Sequence, residues 1–540
     1  MGLPVSERSV VLIGFMGTGK SRVGRYLASR LGLPFIDTDE EVERLAGKDI
    51  PAIFAAGGEA EFRRLEAEVI DRVSRLNPAV VATGGGVVLN PVNVRRLAAR
   101  GWLVRLDAGP EEIYLRVGDG GGRPLLAGED TRQAIRDLHA ARERYYRCAH
   151  LTVDTTGQGV EKVGEIILDW LARRPPMRSV EVDLGERGYL IHVGHRILGE
   201  AGTLLGGREP GSRVLVVTHP TLKRLYGEAI LGSLRKAGLE PAVAEIPEGE
   251  ESKSLEWASH LYDRAIAEDL DRHSLVLALG GGVAGDLAGF VAATYLRGVA
   301  FAQVPTSLVA QVDASIGGKV AVNHPRGKNL IGAFYQPVVV VADVSTLQSL
   351  PDEEFRAGLA EVVKHALVSD PDYFSFLEER SALVWKREPS TMIELVERSC
   401  LIKAAVVMED EREAGKRAVL NLGHTVGHAL ETVTGYRGYR HGEAVAVGLA
   451  AAARLSARLG LLHETRVKRV ESLLQSWGLP TRIGGLGVEE IVESMGRDKK
   501  RVGSSLRFVL LEDLGRPVTG CPVPLDTVQE VLAELGATPR

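Results

Sequence analysis

This sequence is poor in cysteine, lacks any long apolar run and has no marked excess of charge of either sign. Three cysteines, Cys148, Cys400 and Cys521, occur in 540 residues. Odd in number and far apart, they argue against a disulfide framework and against a cysteine zinc site. A reducing cytoplasm is the expected setting. No stretch of about 18 apolar residues could span a bilayer, and no charged-then-apolar leader opens the chain, so neither a membrane segment nor secretion is expected. Sixty-six basic residues stand against 71 acidic ones, a formal net charge of −5. That balance excludes a dedicated nucleic-acid binder but leaves room for local cationic clusters that hold small anions. Met1-Gly2 followed by Ser6 fits an acylation pattern only formally, because a strand signal follows almost at once.

What is present is enough for several domains. The length exceeds that of one ordinary domain, and 45% apolar with 25% charged residues is common globular composition. Strand and helix signals alternate through the first 170 residues. Val10–Ile13, Pro34–Asp37, Ala79–Ala82, Trp102–Leu106 and Leu151–Val153 read as strands, and a last helix runs from Val160 to Arg173. Such alternation predicts a parallel sheet covered by helices. Arg173-Arg174-Pro175-Pro176 then interrupts the pattern as a linker would. A second α/β region follows, with strand signals at Val214–Thr218, Ala242–Ile246, Ser274–Leu279, Ala300–Val304 and Val338–Val341. Beyond about residue 350 the strand signals thin out. Periodic stretches such as Glu353–Val368 and Ala444–Arg458 predict a mainly helical end.

Gly14-Phe15-Met16-Gly17-Thr18-Gly19-Lys20-Ser21 has the spacing of a phosphate-binding loop between a strand and a helix. Backbone N–H groups from Gly17, Thr18 and Gly19 would face phosphate oxygens, with Arg22 beside them. Lys20 would reach the β- and γ-phosphates, and the Ser21 hydroxyl would hold Mg2+. The loop implies ATP without naming a second substrate.

Further motifs carry a resemblance to shikimate kinase over residues 1–172: Phe35-Ile36-Asp37-Thr38-Asp39, Gly58-Glu59 with Phe62-Arg63, Gly84-Gly85-Gly86 and Arg123-Pro124-Leu125-Leu126. The resemblance implies that Asp39 binds the substrate hydroxyls and draws a proton from the attacked one. It further implies that Arg63 pairs with the shikimate carboxylate, that the Gly85 N–H meets the substrate, and that Arg123 approaches the transferring phosphate from a lid containing Gly118 to Gly122. A second carboxylate arginine is Arg142, four residues before Tyr146, with Arg144 as competitor.

The larger half carries a glutamate and three histidines, Glu361, His424, His428 and His441, of metal-ligand type. Spacing alone would pair His424 with His428, four apart on a helix. Gly280-Gly281-Gly282-Val283-Ala284-Gly285 after a strand satisfies a dinucleotide pattern, although the usual acidic residue about 20 positions on is missing.

Residues 179–540 resemble 3-dehydroquinate synthase throughout. The resemblance rests on Pro247-Glu248-Gly249-Glu250 with Lys253, the glycine loop through Asp286, Thr294-Tyr295-Leu296-Arg297-Gly298, Val304-Pro305-Thr306-Ser307-Leu308 and Val312-Asp313-Ala314-Ser315-Ile316-Gly317-Gly318-Lys319. It continues through Gly327-Lys328-Asn329, Ala360-Glu361-Val362-Val363-Lys364, Asn421-Leu422-Gly423-His424-Thr425-Val426-Gly427-His428 and His441-Gly442-Glu443. It implies one divalent metal, Zn2+ or Co2+, held by Glu361, His424 and His441, with His428 beside the substrate. NAD+ is implied at Glu250, Lys253, Gly282, Val283, Ala284, Gly285, Asp286, Thr306 and Ser307, with Thr346 and Ser349. Substrate positions are Arg297, Asp313, Lys319, Lys328, Asn329, Lys364, Lys403, Arg417, Asn421 and His428, with Lys499 or Lys500; Lys319, Lys364, Asn329, Arg417 and His428 are the catalytic candidates among them. Thr218-His219 stands where the family commonly has an acidic or amide residue for the adenosine ribose.

The implied organisation is a kinase domain over 1–172, a linker over 173–178, a Rossmann-like NAD-binding α/β domain over 179–345 and a helical metal- and substrate-binding domain over 346–540. The implied substrates are shikimate and 3-deoxy-arabino-heptulosonate 7-phosphate. The implied products are shikimate 3-phosphate and, with phosphate release and no net redox, 3-dehydroquinate. A homodimer through the larger half is compatible with the resemblance. Another sugar-phosphate cyclase, a glycerol-dehydrogenase-like enzyme, or a nucleotide-sensing first half remain the competing readings.

Overall fold

The computed structural model describes residues 8–76, 78–118, 124–126, 130–497, 501–502 and 505–538. The acylation-like pattern at Met1, Gly2 and Ser6 lies outside these. The chain forms two compact units. The first comprises Met1–Leu190, Ile197–Val214 and Tyr226–Ala242, and the second comprises Ile191–Arg196, Leu215–Leu225 and Val243–Arg540.

In the first unit, strands β1 (Ser9–Ile13), β2 (Phe35–Asp37), β3 (Val80–Ala82), β4 (Gly101–Asp107) and β5 (Leu151–Asp154) form a sheet in the order β2-β3-β1-β4-β5. Every pairing is parallel. Successive strand residues face opposite sides, and both sides here are apolar because helices cover both. Val11 and Ile13 join one buried cluster with Val81 and Leu103, whereas Val10 and Leu12 join another with Val80 and Val104. Glycine frees the end of β1 to turn: Gly14 has φ 140°, and a Cβ there would lie 2.2 Å from the Leu106 carbonyl oxygen. The chain then enters the helix Lys20–Leu31.

Strands β6 (Met177–Val182), β7 (Tyr189–Gly194), β8 (Arg213–Thr218) and β9 (Glu240–Glu245) follow. Met177 and Arg178, expected as linker, already belong to β6. After β10 (Leu275–Gly280) and β11 (Ala300–Pro305) comes a hairpin, β12 (Lys319–His324) and β13 (Gly327–Phe334), and then β14 (Val339–Asp343). The larger sheet runs β6-β7-β14-β11-β10-β8-β9, and its β14-β11-β10 centre is parallel. The glycine-rich segment ends β10 and opens the helix Gly282–Thr294, so the topology the motif requires is present.

Past residue 350 the helices Asp352–Ser369, Pro389–Glu409, His424–Val433 and His441–Arg458 dominate. Sequence periodicity missed the antiparallel strands β15 (Arg501–Val502), β16 (Ser505–Asp513) and β17 (Arg516–Pro524) that follow them. Among the described residues no helix is long and apolar enough to cross a membrane.

Candidate active sites

The phosphate-binding loop opens onto a cavity of about 720 Å³ lined by Gly17, Thr18, Gly19, Lys20, Ser21, Arg22, Asp37, Asp39 and Gly85. The Lys20 ammonium donates to the carbonyls of Gly14 (2.8 Å) and Phe15 (2.9 Å), which holds it over the loop. The Ser21 hydroxyl donates to Asp37 at 2.6 Å. The other Asp37 carboxylate oxygen accepts the N–H of Asp39 and caps the helix Thr38–Ala46. Sequence reading assigned Asp37 no role, although it is the first carboxylate after a strand of a phosphate-loop fold. Its pairing with Ser21 makes it a second candidate for Mg2+.

Asp39 is raised above the ordinary aspartate pKa, first by burial and then by Asp37, with Lys20 and Arg63 only partly opposing. A raised but still acidic carboxylate accepts a proton more readily than a free one. Arg63 is fixed by Glu59 and Glu66, each at 2.9 Å. It lies so close to Gly86 that a Cβ there would meet its guanidinium at 2.3 Å. Arg142 is buried and reaches toward the Gly85 carbonyl (3.5 Å), which also accepts the Tyr146 hydroxyl at 2.6 Å. Arg144 is exposed and donates to the hydroxyl of its neighbour Tyr145. Arg63 and Arg142 do not line the nucleotide cavity itself but gather at Gly85 and Gly86, beside Asp39. Arg116, which the sequence reading missed, lines the cavity with Thr155, Gly157 and Gln158. It bonds both the hydroxyl and the carbonyl of Thr155. The signal for this wall was the loop after β5, at the C-terminal edge of a parallel sheet. Arg123 and the segment Asp119 to Gly122 lie outside the described residues.

In the second unit, two adjoining cavities of about 650 and 580 Å³ share Asp286, Asp313 and Asn329 in their walls. Glu361, on the helix Asp352–Ser369, is 1% exposed and stands among histidines. His441 Nε2 lies 3.2 Å and His424 Nε2 3.7 Å from the same Glu361 oxygen. A ligand atom from each of the three lies within 4.8 Å of the others. Gly442 permits this approach: a Cβ there would sit 1.9 Å from the Ala357 carbonyl oxygen of the neighbouring helix.

The His424 Nδ1 faces the Leu422 carbonyl at 3.2 Å, leaving Nε2 directed at Glu361. Burial drives the His424 pKa down to about 3, so its ring is neutral. Burial opposes the charge on Glu361 too, yet Lys364 and then His441 hold it well below the usual glutamate range. His441 goes the other way, to about 10. Burial lowers it, but the Glu361 and Glu431 carboxylates prevail, so a cation binding there displaces a proton. One ionised carboxylate and two imidazoles, with directions left open, suit a catalytic divalent metal such as Zn2+. His428, with its ring centroid 5.2 Å from that of His424, lines the cavity beside this cluster.

Around the cluster the cations are already engaged. Lys403 donates to the Asp313 carboxylate at 2.6 Å, and Lys364 pairs with Glu361. Asp313, Glu361 and His365 also come together. This second group shares Glu361 with the first. Lys319 pairs with Glu413 at 2.5 Å, and Arg417 donates to the Glu411 carbonyl at 2.9 Å. Lys253 binds both Asp286 and Asn329. Glu250, Lys253, Gly282, Val283, Asp286, Ser307, Lys328 and Asn329 line the first cavity, and Lys319, Lys403 and Arg417 line the second.

Several expected residues line neither cavity: Ala284, Gly285, Arg297, Thr306, Thr346, Ser349, Lys364 and Asn421. The Thr346 hydroxyl is spent on the Asp343 carbonyl at 2.8 Å, and Ser349 bonds Thr346. Arg297 is exposed, with φ 67°. Lys499 and Lys500 lie outside the described residues. Glu413, Glu431 and Tyr436 were missed. Glu413 sits in an acidic run that reads as a solvated face, whereas Glu431 stands seven residues after His424, on the same helical face.

These clefts define a phosphate-loop kinase joined to an α/β-and-helical enzyme with a Glu–His–His centre. A family model described as shikimate kinase matches residues 16–172. Models described as 3-dehydroquinate synthase N-terminal and C-terminal match residues 243–357 and 358–501. The 3-dehydroquinate synthase of Desulforamulus reducens is 52% identical over 341 residues, 63% of this chain and 95% of its own length. A solved 2-deoxy-scyllo-inosose synthase complexed with carbaglucose-6-phosphate, NAD+ and Co2+ is 29% identical, with a TM-score of 0.60 over 66% of this chain and 99% of its own. The 2-epi-5-epi-valiolone synthase of Streptomyces hygroscopicus, with NAD+ and Zn2+ bound, is 27% identical, with a TM-score of 0.59 over 64% of this chain and 96% of its own. The chain belongs to the 3-dehydroquinate synthase family and carries a shikimate kinase domain ahead of it. It is thus a bifunctional shikimate-pathway enzyme, a kinase and a cyclising phosphate lyase in one polypeptide.

Proposed function

We propose the following division of labour among the residues. In the kinase, Gly17 to Arg22 cradle ATP, Ser21 and Asp37 hold Mg2+, and Lys20 neutralises the β- and γ-phosphates. Asp39 takes the proton of the attacked shikimate hydroxyl on its carboxylate. Arg63 and Arg142 hold the shikimate carboxylate, because the buried Arg142 and not the exposed Arg144 approaches Gly85. Arg123 stays assigned to the transferring phosphate by resemblance alone.

In the synthase, Glu361, His424 and His441 hold one divalent cation, Zn2+ or Co2+. Glu250, Lys253, Gly282, Val283, Asp286 and Ser307 line the site for NAD+. When bound, these groups supply Lewis-acid lowering of a substrate hydroxyl's pKa and reversible oxidation at its carbon. The chain's own residues then hold and orient the heptulosonate phosphate. Lys319, Lys403 and Arg417 face its anionic groups, and Asp313 and Asn329 accept or donate to its hydroxyls. His428 lies within reach of the cluster to move a proton as phosphate leaves. The oxidation that bound NAD+ would supply acidifies the C–H beside the new carbonyl and would be reversed in the same cleft, so phosphate would be released with no net NADH.

The observation that carries this reading is the convergence of Glu361, His424 and His441 beside a cleft walled by Asp286 and Lys253. Its test is a phosphate-release assay on 3-deoxy-arabino-heptulosonate 7-phosphate, with and without chelator. Chelator-sensitive phosphate release without net NADH supports it. Net NADH formation would instead indicate a dehydrogenase, and a product other than 3-dehydroquinate another cyclase of the kind the solved relatives represent. We further assign the kinase to residues 1–172, a connection to 173–176, the NAD-binding part, opening with β6, to 177–345 and the helical part to 346–540. The setting we assign is the cytoplasm, and a homodimer through the synthase part belongs to the same reading; sedimentation of the full chain tests the latter.

A further inference from the structure

Glu431 occupies a junction that the roles above leave unused. It lies on the helix His424–Val433 and its side chain is 10% exposed. Its Oε2 stands 3.3 Å from Nδ1 of His441, while Nε2 of the same ring stands 3.2 Å from Glu361. Carboxylates therefore grip the His441 imidazole on both nitrogens. A carboxylate on Nδ1 selects the tautomer that keeps its proton there, which leaves the Nε2 lone pair for a cation and fixes the plane of the ring.

Past the end of this helix, Tyr436 meets Lys328 of the β12–β13 hairpin. The Lys328 ammonium on that hairpin lies 4.2 Å from the centroid of the Tyr436 ring, a cation–π distance. The Tyr436 N–H donates to the Glu431 carbonyl at 2.7 Å. Tyr436 adopts φ 60°, a left-handed conformation that costs an aromatic residue energy and persists only where its surroundings enforce it. Lys328, Glu431, Tyr436 and His441 all line one cavity.

We propose that Glu431 is a positioning residue that sets the His441 ring for a divalent cation and, with Tyr436, ties the Lys328 hairpin to that ring, so that cation loading and hairpin placement are coupled. The proposal rests on the assignment of Glu361, His424 and His441 as ligands. A cation on Nε2 would fix the ring in the plane that the Nδ1 contact with Glu431 already sets. Ordering of the ring against Glu431 passes to Tyr436, whose N–H the Glu431 carbonyl holds, and from the Tyr436 ring to Lys328 on the hairpin.

The test uses the full chain stripped with chelator and titrated with Co2+, with visible absorption as the readout. Glu431→Gln should weaken Co2+ binding about 10–100-fold and change the absorption spectrum, while the metal-free chain melts as the parent does. Tyr436→Leu, which needs no change in the buried cluster, should keep Co2+ affinity but abolish the slowing of amide exchange across residues 327–334 that Co2+ produces in the parent. Tyr436→Phe, which retains the ring, should restore it. A Glu431→Gln Kd within roughly twofold of the parent, with an unchanged spectrum, overturns the positioning role. Parent hairpin exchange insensitive to Co2+ overturns the coupling. A parent chain that takes up no Co2+ overturns the ligand assignment itself, and the inference falls with it.

Discussion

Replacing Arg95 by methionine should destabilise the first unit by a calculable amount. Arg95 lies on the helix Pro91–Arg100 with its side chain 8% exposed. Its guanidinium donates to Glu181 and Asp183, both at 2.8 Å, and to the Gly185 carbonyl at 2.9 Å. Strand β6 and the turn after it are therefore fastened to the kinase helix by one buried cation. Removing one member of a fully buried pair costs about 3–5 kcal/mol. Here Glu181 and Asp183 are 23% and 38% exposed, so water re-solvates much of the stranded charge. Methionine also keeps part of the apolar stem. A loss of about 2 kcal/mol remains, which in a body of this size lowers Tm by about 4–8 °C. The assay is thermal inactivation of shikimate kinase activity in the full chain. Arg95→Lys should fall between, since an ammonium cannot reproduce the fork. Adding Glu181→Gln to Arg95→Met should cost less than its effect in the parent. If the methionine variant melts within about 1 °C of the parent, or if the two substitutions add fully, the buried pair contributes nothing and the reasoning is refuted.

Lys20→Ala should abolish ADP release with shikimate and leave synthase turnover nearly intact; simultaneous loss of both activities would contradict independent sites. Chelation should silence the synthase even after Mg2+ is restored, and Zn2+ or Co2+ should rescue it, whereas full activity in Mg2+ alone would remove the Glu–His–His centre from the mechanism. Because burial raises Asp39 above 3.8, its ionised, proton-accepting form is lost at a higher pH than for an exposed aspartate. Kinase kcat/KM should accordingly fall as pH drops through that raised value. An acid limb at or below 3.8 in the pH–rate profile would show that Asp39 is not the base.

Much of this architecture was legible in the chain. The β1 strand, the loop ending at Ser21 and the helix behind it follow from an apolar run, three glycines and a periodic stretch, all local signals. Glu361, His424 and His441 were named through resemblance, and the structure does gather them. Spacing alone favoured His424 with His428, because a helix brings residues four apart together whatever else packs nearby. The ligand cluster instead closes through His441, beside which Gly442 packs against Ala357 of the helix that carries Glu361. In the hairpin, β13 is exposed along most of its length, and β17 is interrupted by Pro517, Gly520 and Pro522, so neither shows the apolar run by which β1 was read.

Sequence by itself determined the parts whose physics is short-ranged: the phosphate cradle, the alternation that makes parallel sheets, the helical run past residue 350, and the chemical kinds of side chain supplied to each site. Tertiary structure decided which of those side chains meet. It set Arg142 rather than Arg144 against Gly85, gave Asp37 a bond to Ser21, paired Lys319 with Glu413, put Glu431 against His441 and laid Lys328 over the Tyr436 ring. The reason is that propensity and spacing act over a few residues, whereas charge, burial and close packing act over ångströms between segments that are remote along the chain.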